Sequence, residues 1–133
     1  MSTVFDASAL IALLRDEPGA EAVQNLLDGS PESNYVHAVN LCEVYYQTIR
    51  SYDERTARRT IARLYDDGVR ERRDMSRRLW HRVGQVKARG RISIADCFCI
   101  ALAQALSGEA VASDHHEFDR LVPLGLCPIR FIR

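Results

Sequence analysis

Four acidic residues, Asp6, Glu43, Asp96 and Asp114, adjoin apolar runs along the 133-residue chain. Carboxylates that converge repel one another unless a cation lies between them. Oxygen ligands without His or Cys partners select Mg²⁺ or Mn²⁺, and these ions promote phosphoryl chemistry by activating water and stabilising charge on phosphate oxygens. If the fold brings the four side chains together, the sequence predicts a divalent-metal site for phosphoryl chemistry.

Helix capping is the competing explanation for three of these acids, because carboxylates in a first turn commonly stabilise a helix start. The spacings Asn40–Glu43, Ser93–Asp96 and Asp114–Glu117 all resemble capping boxes. Asp96 is the hardest to explain by capping alone. The residues after it, Cys97–Ala103, are apolar on nearly every helix face and leave its carboxylate little solvent. A bound cation would offset the free-energy cost of burying that charge.

The apolar patterns predict strands that alternate with helices. Strands are expected near residues 3–5, 35–39, 69–73, 110–113 and 128–132. Helices are expected after each of the first four strands, with Ser8, Asn40, Asp74 and Ser93 as N-caps. This order implies an α/β fold with a central parallel sheet and helices on both faces, and such sheets bind ligands at the carboxyl ends of their strands. Asp6 and Asp114 lie at two of those ends.

The composition predicts a single domain, residues 1–133, that is soluble and cytoplasmic. With 47% hydrophobic residues the chain can bury a core without disulfides or a structural metal. No segment approaches the roughly 20 apolar residues of a membrane span, so no membrane partner is expected. No pair of cysteines has the C-x2-C spacing of a zinc site, and we expect reduced, buried thiols at Cys42, Cys97, Cys99 and Cys127.

The net charge of zero hides a segregation of charge along the chain. Residues 1–49 carry a net charge of −6, residues 50–91 of +8 and residues 92–133 of −2. A basic middle segment could form a backbone-binding surface beside a metal site, although a solvated charged face is the commoner meaning of such a run. The only lysine is Lys87, and the guanidinium group of the remaining cations suits phosphate better than ammonium does.

Four segments together resemble the PIN domain, and most closely the VapC-type toxins of bacterial toxin–antitoxin pairs. The resemblance spans essentially the whole chain and places the four acids in the same order with their flanking apolar runs. The segments that carry it are Val4–Leu10, Asn40–Glu43, Ser93–Phe98 and Ala112–Phe118.

The resemblance implies a single PIN-like domain with a three-layer fold that acts as an endoribonuclease with Mg²⁺ or Mn²⁺. It also implies a homodimer held inactive by a cognate VapB-type antitoxin that reaches into the active-site groove. The catalytic and metal-binding acids of the family correspond to Asp6, Glu43, Asp96 and Asp114.

Further candidate site residues follow from the same resemblance or from their position in the chain. Ser113 matches a small hydroxyl residue that orients water or ligand, Ser8 matches a similar position after the first acid, and Asn40 stands where relatives often carry Ser or Thr. Asp119 is a spare acid that either joins the metal site or faces solvent. The remaining candidates are substrate contacts, namely His115 and His116 beside Asp114, Arg15, and the helix face of Arg55, Arg59 and Arg63.

The sequence also bears on several other classes of protein. A phosphorelay receiver needs a strand-end lysine, whereas Lys87 falls near the end of an expected helix. A haloacid-dehalogenase-type phosphatase needs a second Asp two residues after the first, where this chain has Ser8. A PIN-like module that binds RNA or a partner without cutting stays open. DNA as the substrate also stays open, since backbone contacts carry no sugar information unless the 2′-OH is read.

Overall fold

The computed structural model describes all 133 residues and has the expected α/β architecture. Its five strands form one sheet in the order β3-β2-β1-β4-β5, and every neighbouring pair is parallel. All five expected strands are confirmed, the first with the expected bounds and the other four with slightly different ones. They are β1 (Thr3–Phe5), β2 (Asn34–His37), β3 (Arg70–Arg72), β4 (Glu109–Ala112) and β5 (Ile129–Phe131).

Seven α-helices and one 3-10 helix connect or follow the strands. Most of them expose one polar face, but α6 is buried along Ala95–Ala103, as its uniformly apolar sequence predicts. The helices are α1 (Ala7–Leu14), α2 (Ala20–Gly29), α3 (Ala38–Ser51), α4 (Glu54–Asp66), α5 (Arg77–Lys87), α6 (Ile94–Ala105), α7 (His115–Phe118) and the 3-10 helix Val122–Leu124.

Two hydrophobic clusters lie on opposite faces of the sheet, which gives the three-layer arrangement. Successive strand residues point to opposite faces, so Val4 joins the cluster beneath α5 and α6 whereas Phe5 joins the cluster beneath α1–α4. Both residues are fully buried, as expected for a parallel sheet covered on both faces. β1 and β4 lie at the centre of the sheet, and this position brings their carboxyl ends side by side.

The expected N-caps Asn40 and Asp74 are wrong. In both helices the cap is the extended residue directly before the first helical residue. The ring Nδ1 of His37 accepts from the backbone N–H of Val39 and caps α3, so Asn40 lies inside the first turn. Ser76 caps α5 in place of the expected Asp74. Ser93 caps α6 as predicted.

The cysteines are all free thiols, but their environments differ. Cys97 and Cys99 are buried and Cys127 is partly buried, whereas Cys42 is exposed on α3. The expectation that all four are buried is therefore wrong for Cys42, because the helix turns that side chain away from the sheet. None of the helices combines the length and the apolar character that crossing a membrane requires.

Candidate active site

A cavity of about 350 Å³ opens at the carboxyl ends of β1 and β4. It also receives the first turns of α1, α6 and α7 and one face of α3, so chain segments that are distant in sequence meet here. All four acids predicted from the sequence line it. Its six carboxylates are Asp6, Glu17, Glu43, Asp96, Asp114 and Glu117.

Asp6 lies where β1 passes directly into α1, and only 1% of its surface is exposed. Its Oδ1 accepts from the backbone N–H of Ala9 at 2.8 Å, so Asp6 caps α1 in place of the expected Ser8. Burial raises the pKa of Asp6 to about 7, although hydrogen bonds from Ala9 and Ser8 oppose that rise. A carboxylate that is this strongly desolvated favours either a proton or a cation.

Ser8 connects the ends of the two central strands. Its Oγ lies 2.9 Å and 2.8 Å from the two carboxylate oxygens of Asp6, and it accepts a hydrogen bond of 3.1 Å from the backbone N–H of Ser113. The contact to Ser113 therefore fixes the direction from which Ser8 donates to Asp6. Ser113 is buried and also lines the cleft.

Asp96 and Glu117 form a carboxyl pair on the wall formed by α6 and α7. Burial raises the pKa of Asp96, the hydrogen bond to Glu117 raises it further, and the same hydrogen bond lowers the pKa of Glu117. The two carboxyl groups of the pair therefore have pKa values that are shifted in opposite directions. The backbone N–H of Ser93 donates to Glu117 Oε2 at 3.2 Å, which anchors the pair to the start of α6.

Glu17 and Glu117 are the two acids of the cleft that the sequence did not indicate as site residues. The sequence indicated Glu117 only as a capping partner of Asp114. It lies three residues after Asp114, which places both side chains on the same side of the short helix α7. That spacing is the sequence feature from which its position could have been inferred.

Glu43 and Asp114 complete the set of predicted acids. Burial raises the pKa of Glu43, the charge of Glu117 raises it further, and a hydrogen bond from Tyr46 opposes both. Asp114 Oδ1 accepts from the backbone N–H of His116 at 2.8 Å and caps α7. Asp114, like Asp6, therefore both caps a helix and lines the cleft.

Four other predicted site residues, Asn40, His115, His116 and Asp119, do not line the cleft. Asn40 is fully buried one turn before Glu43, and neither atom of its side-chain amide has a hydrogen-bond partner. His115 Nδ1 lies 3.1 Å from Asp119 Oδ1 on the exposed side of α7. His115 Nε2 also donates to the carbonyl oxygen of Arg133 at 2.7 Å, and these two bonds raise the pKa of His115.

Two arginines line the cleft. The sequence predicted Arg15 as a candidate but not Arg133. Arg15 lies at the end of α1, and Arg133 follows β5. Gln47, one turn after Glu43 on α3, is also in the lining and was not predicted. The predicted face of Arg55, Arg59 and Arg63 lies on α4, outside the cleft lining.

The donor set of the cleft fits a divalent cation that prefers oxygen ligands, since it offers carboxylates and hydroxyls but no His or Cys. Asp6 and Asp96 are both buried, and neither takes part in an ion pair, so a cation would relieve the cost of their charge. No three Asp, Glu, His or Cys side chains are already arranged as a coordination shell. The side chains would therefore have to draw together around an ion.

The PIN domain family model matches residues 3–122 of the chain. The search of curated proteins found no match. The family match covers every strand except β5 and all four predicted acids.

Solved structures with the same fold include three from bacteria. VapBC2 from Rickettsia felis, bound to a DNA fragment from its promoter, is 14% identical with a TM-score of 0.75 over 98% of both chains. A toxin–antitoxin complex from Klebsiella pneumoniae is 17% identical with a TM-score of 0.72 over 99% of this chain and 98% of that one. VapC20 from Mycobacterium tuberculosis, described as a sarcin–ricin loop cleaving toxin, is 16% identical with a TM-score of 0.71 over 90% and 95%. At these identities the likeness establishes the fold.

Proposed function

The chain belongs to the PIN domain family, and on that premise we propose that it is a metal-dependent endoribonuclease, the toxin of a toxin–antitoxin pair. The observation that supports this proposal most strongly is the convergence of acids from five separate elements on one cleft, with Asp6 and Asp96 buried there. Desolvated carboxylates without a cationic partner are destabilising, so a fold that gathers them needs a compensating ligand.

The proposed ligands of Mg²⁺ or Mn²⁺ are carboxylates of the cleft. When bound, such an ion would activate water and neutralise the charge that develops on a phosphate under attack. The residues assigned to it are Asp6, Glu43, Asp96 and Asp114, together with Glu117, which lines the same cleft.

Neighbouring residues would hold these acids in place. Ser8 orients the Asp6 carboxylate from a position that the Ser113 backbone fixes. Asn40, buried one turn before Glu43 with an unpaired amide, is proposed as a second positioning residue. His115 and Asp119 would act from outside the cleft by holding the segment that leads into Arg133.

RNA as the substrate and an antitoxin as the partner are proposals supported by the printed descriptions of the structural relatives. One relative is described as cleaving the sarcin–ricin loop, and others are toxin–antitoxin complexes. We extend this to a VapB-type antitoxin for the present chain, and to a homodimer as its assembled form. A PIN-like module that binds RNA without cutting it is the alternative that the experiment below separates.

The test incubates purified, antitoxin-free protein with total RNA and with single-stranded DNA, in Mg²⁺, in Mn²⁺ and in EDTA. The key variant is Asp96→Asn, and the matched control is Asp66→Asn, which changes an exposed acid of α4 outside the cleft. Both variants are checked for folding by circular dichroism. We expect cutting of RNA by the wild type and by the Asp66 variant, only with metal, and none by the Asp96 variant.

Two results would contradict the nuclease proposal. One is an absence of cutting by the wild type under all of these conditions, which favours the binding module. The other is an equal rate for the folded Asp96 variant in preparations free of contaminating nuclease, which would make the acids structural.

A further inference from the structure

Two guanidinium groups lie in the lining of a cleft that contains six carboxylates, yet neither is paired with one of them. The ion pairs of the structure involve other residues, and none includes Arg15 or Arg133. If these arginines only neutralised the acids, each would be expected within ion-pair distance of a carboxylate. Both are instead hydrogen-bonded to uncharged groups, so their positive charges are available to a bound ligand.

Arg15 is fixed on the side of the cleft nearest α3. One of its terminal nitrogens donates to the hydroxyl of Ser51 at 3.1 Å, and its guanidinium lies over the ring of Tyr52 at 5.9 Å from the centroid. A guanidinium offers five N–H donors, so most of those of Arg15 stay available.

Arg133 is held at the turn that follows α1. Its Nη1 donates to the carbonyl oxygen of Pro18 at 2.9 Å, and its own carbonyl accepts from His115. The His115 ring is in turn stacked on Phe131, with the ring centroids 3.9 Å apart. Arg133 is therefore anchored at both its backbone and its side chain, as a binding residue needs to be.

Arg15 and the side-chain contact of Arg133 both lie at the carboxyl end of α1. Pro18, whose carbonyl oxygen receives Arg133, is three residues after Arg15, so the Cα atoms of Arg15 and Pro18 are at most about 10 Å apart. Asp6 is the N-cap of α1 and Arg15 is its C-cap, which corresponds to a rise of about 13 Å along the helix. The two arginines are therefore anchored at the opposite end of α1 from Asp6, where they could contact a phosphate next to the one at the acids.

We propose that Arg15 and Arg133 form a phosphate-binding subsite that holds a backbone phosphate of single-stranded RNA next to the one positioned for cutting. The forked guanidinium geometry suits phosphate oxygens, and two such groups held near the carboxyl end of α1 would fix the strand direction as well as its position. This inference rests on the proposed nuclease function, and it makes both arginines substrate-binding residues in addition to the acids.

The test measures binding of a fluorescein-labelled single-stranded RNA oligonucleotide by anisotropy, in EDTA so that metal-dependent cutting cannot occur, over a series of salt concentrations. Arg15→Ala and Arg133→Ala are each expected to weaken binding about tenfold. Each should also reduce the slope of log K against log salt by about 0.7, the value for one phosphate contact on a single strand.

Three further variants keep the result interpretable. Arg89→Ala removes the same charge from an exposed position that lines a different cavity, and it should bind as the wild type does. Arg15→Lys and Arg133→Lys keep the charge and should retain the salt slope while losing part of the affinity. Thermal melting shows that each variant is folded.

The subsite is overturned if both alanine variants bind RNA with the wild-type affinity and salt slope. It is also overturned if Arg89→Ala weakens binding as much as they do, because the effect would then be one of overall charge. An acidic segment of a protein partner as the true ligand would give the first of these results. Because binding is measured without cutting, a wild type that binds RNA through both arginines but never cuts it would contradict the nuclease proposal alone.

Discussion

The hydroxyl of Ser8 donates to the Asp6 carboxylate from 2.8 Å away while it accepts the backbone N–H of Ser113. One side chain therefore ties an acid at the end of β1 to the end of β4. Asp6 and Ser113 directly follow strands that are neighbours in the sheet, although Ser8 and Ser113 are 105 residues apart in sequence.

Substitution of Ser8 by Ala is expected to lower activity without unfolding the protein. It removes the donor that orients Asp6 and helps to stabilise its charge, a loss of about 1 kcal/mol, or roughly fivefold in rate. Manganese affinity, measured by calorimetry, should fall in parallel with the rate of RNA cutting. Ser8→Thr keeps the hydroxyl and serves as the control, and an Ala variant as active as the wild type would show that Asp6 needs no such support.

Asp96→Asn is expected to raise the stability of the metal-free protein while it removes the stabilisation by metal. The amide is neutral at every pH, whereas the ionised Asp96 carboxylate is a buried charge without an ion-pair partner, and burial raises its pKa for that reason. Each kcal/mol gained should raise the melting temperature by about 4 °C. Melting curves in EDTA and in Mn²⁺ test this, and an Asn variant that melts below the wild type in EDTA would contradict it.

The metal-free protein is expected to lose stability as the pH rises from about 4 through 7. The pKa of Asp6 is raised from 3.8 in the unfolded chain to about 7 in the fold, so between these values the folded state binds more protons. By linkage its free energy of unfolding falls with increasing pH across that window. Denaturant melts in EDTA over this range measure the slope, and Asp6→Asn should flatten it. A slope that is unchanged in the variant would assign the effect to other groups.

Gly108→Ala is expected to destabilise the fold by about 1 to 3 kcal/mol and to reduce activity as well. A Cβ at this position would collide with the backbone carbonyl of Ser2, and that contact lies beside the pairing of β1 with β4. The matched control is Gly84→Ala on α5, where a Cβ meets nothing within 4 Å. The control should gain about 0.5 to 1 kcal/mol, because alanine favours a helix interior. Urea melts of both variants give the comparison, and equal stability would contradict the close approach.

The order of elements and four of the site acids could be predicted because they depend on local patterns. Apolar runs that end at Asp6 and Asp114 mark strand ends, and parallel strands bring such ends together. The buried sequence around α6 indicated that Asp96 had little solvent, and the structure leaves only 8% of it exposed.

The remaining features depend on contacts between distant segments, which periodicity does not record. Glu117 becomes a partner of Asp96 because α7 packs beside the start of α6. Arg133 reaches the cleft only because His115 and Pro18 hold it there. The cap of α3 was misplaced for a related reason, since His37 reads as a strand residue and its ring forms the cap only where the strand turns directly into the helix.

The pairing of β1 with β4 has a consequence for biosynthesis. β1 is made before its neighbour β4, which begins only at Glu109, so β1 stays unpaired on one side until β4 has left the ribosome. Pairing across such a long separation in sequence is slow, because the loop must close before the contact stabilises it. The nascent chain therefore has no assembled cleft, and no activity of this cleft, until β4 and the residues that follow it have been made.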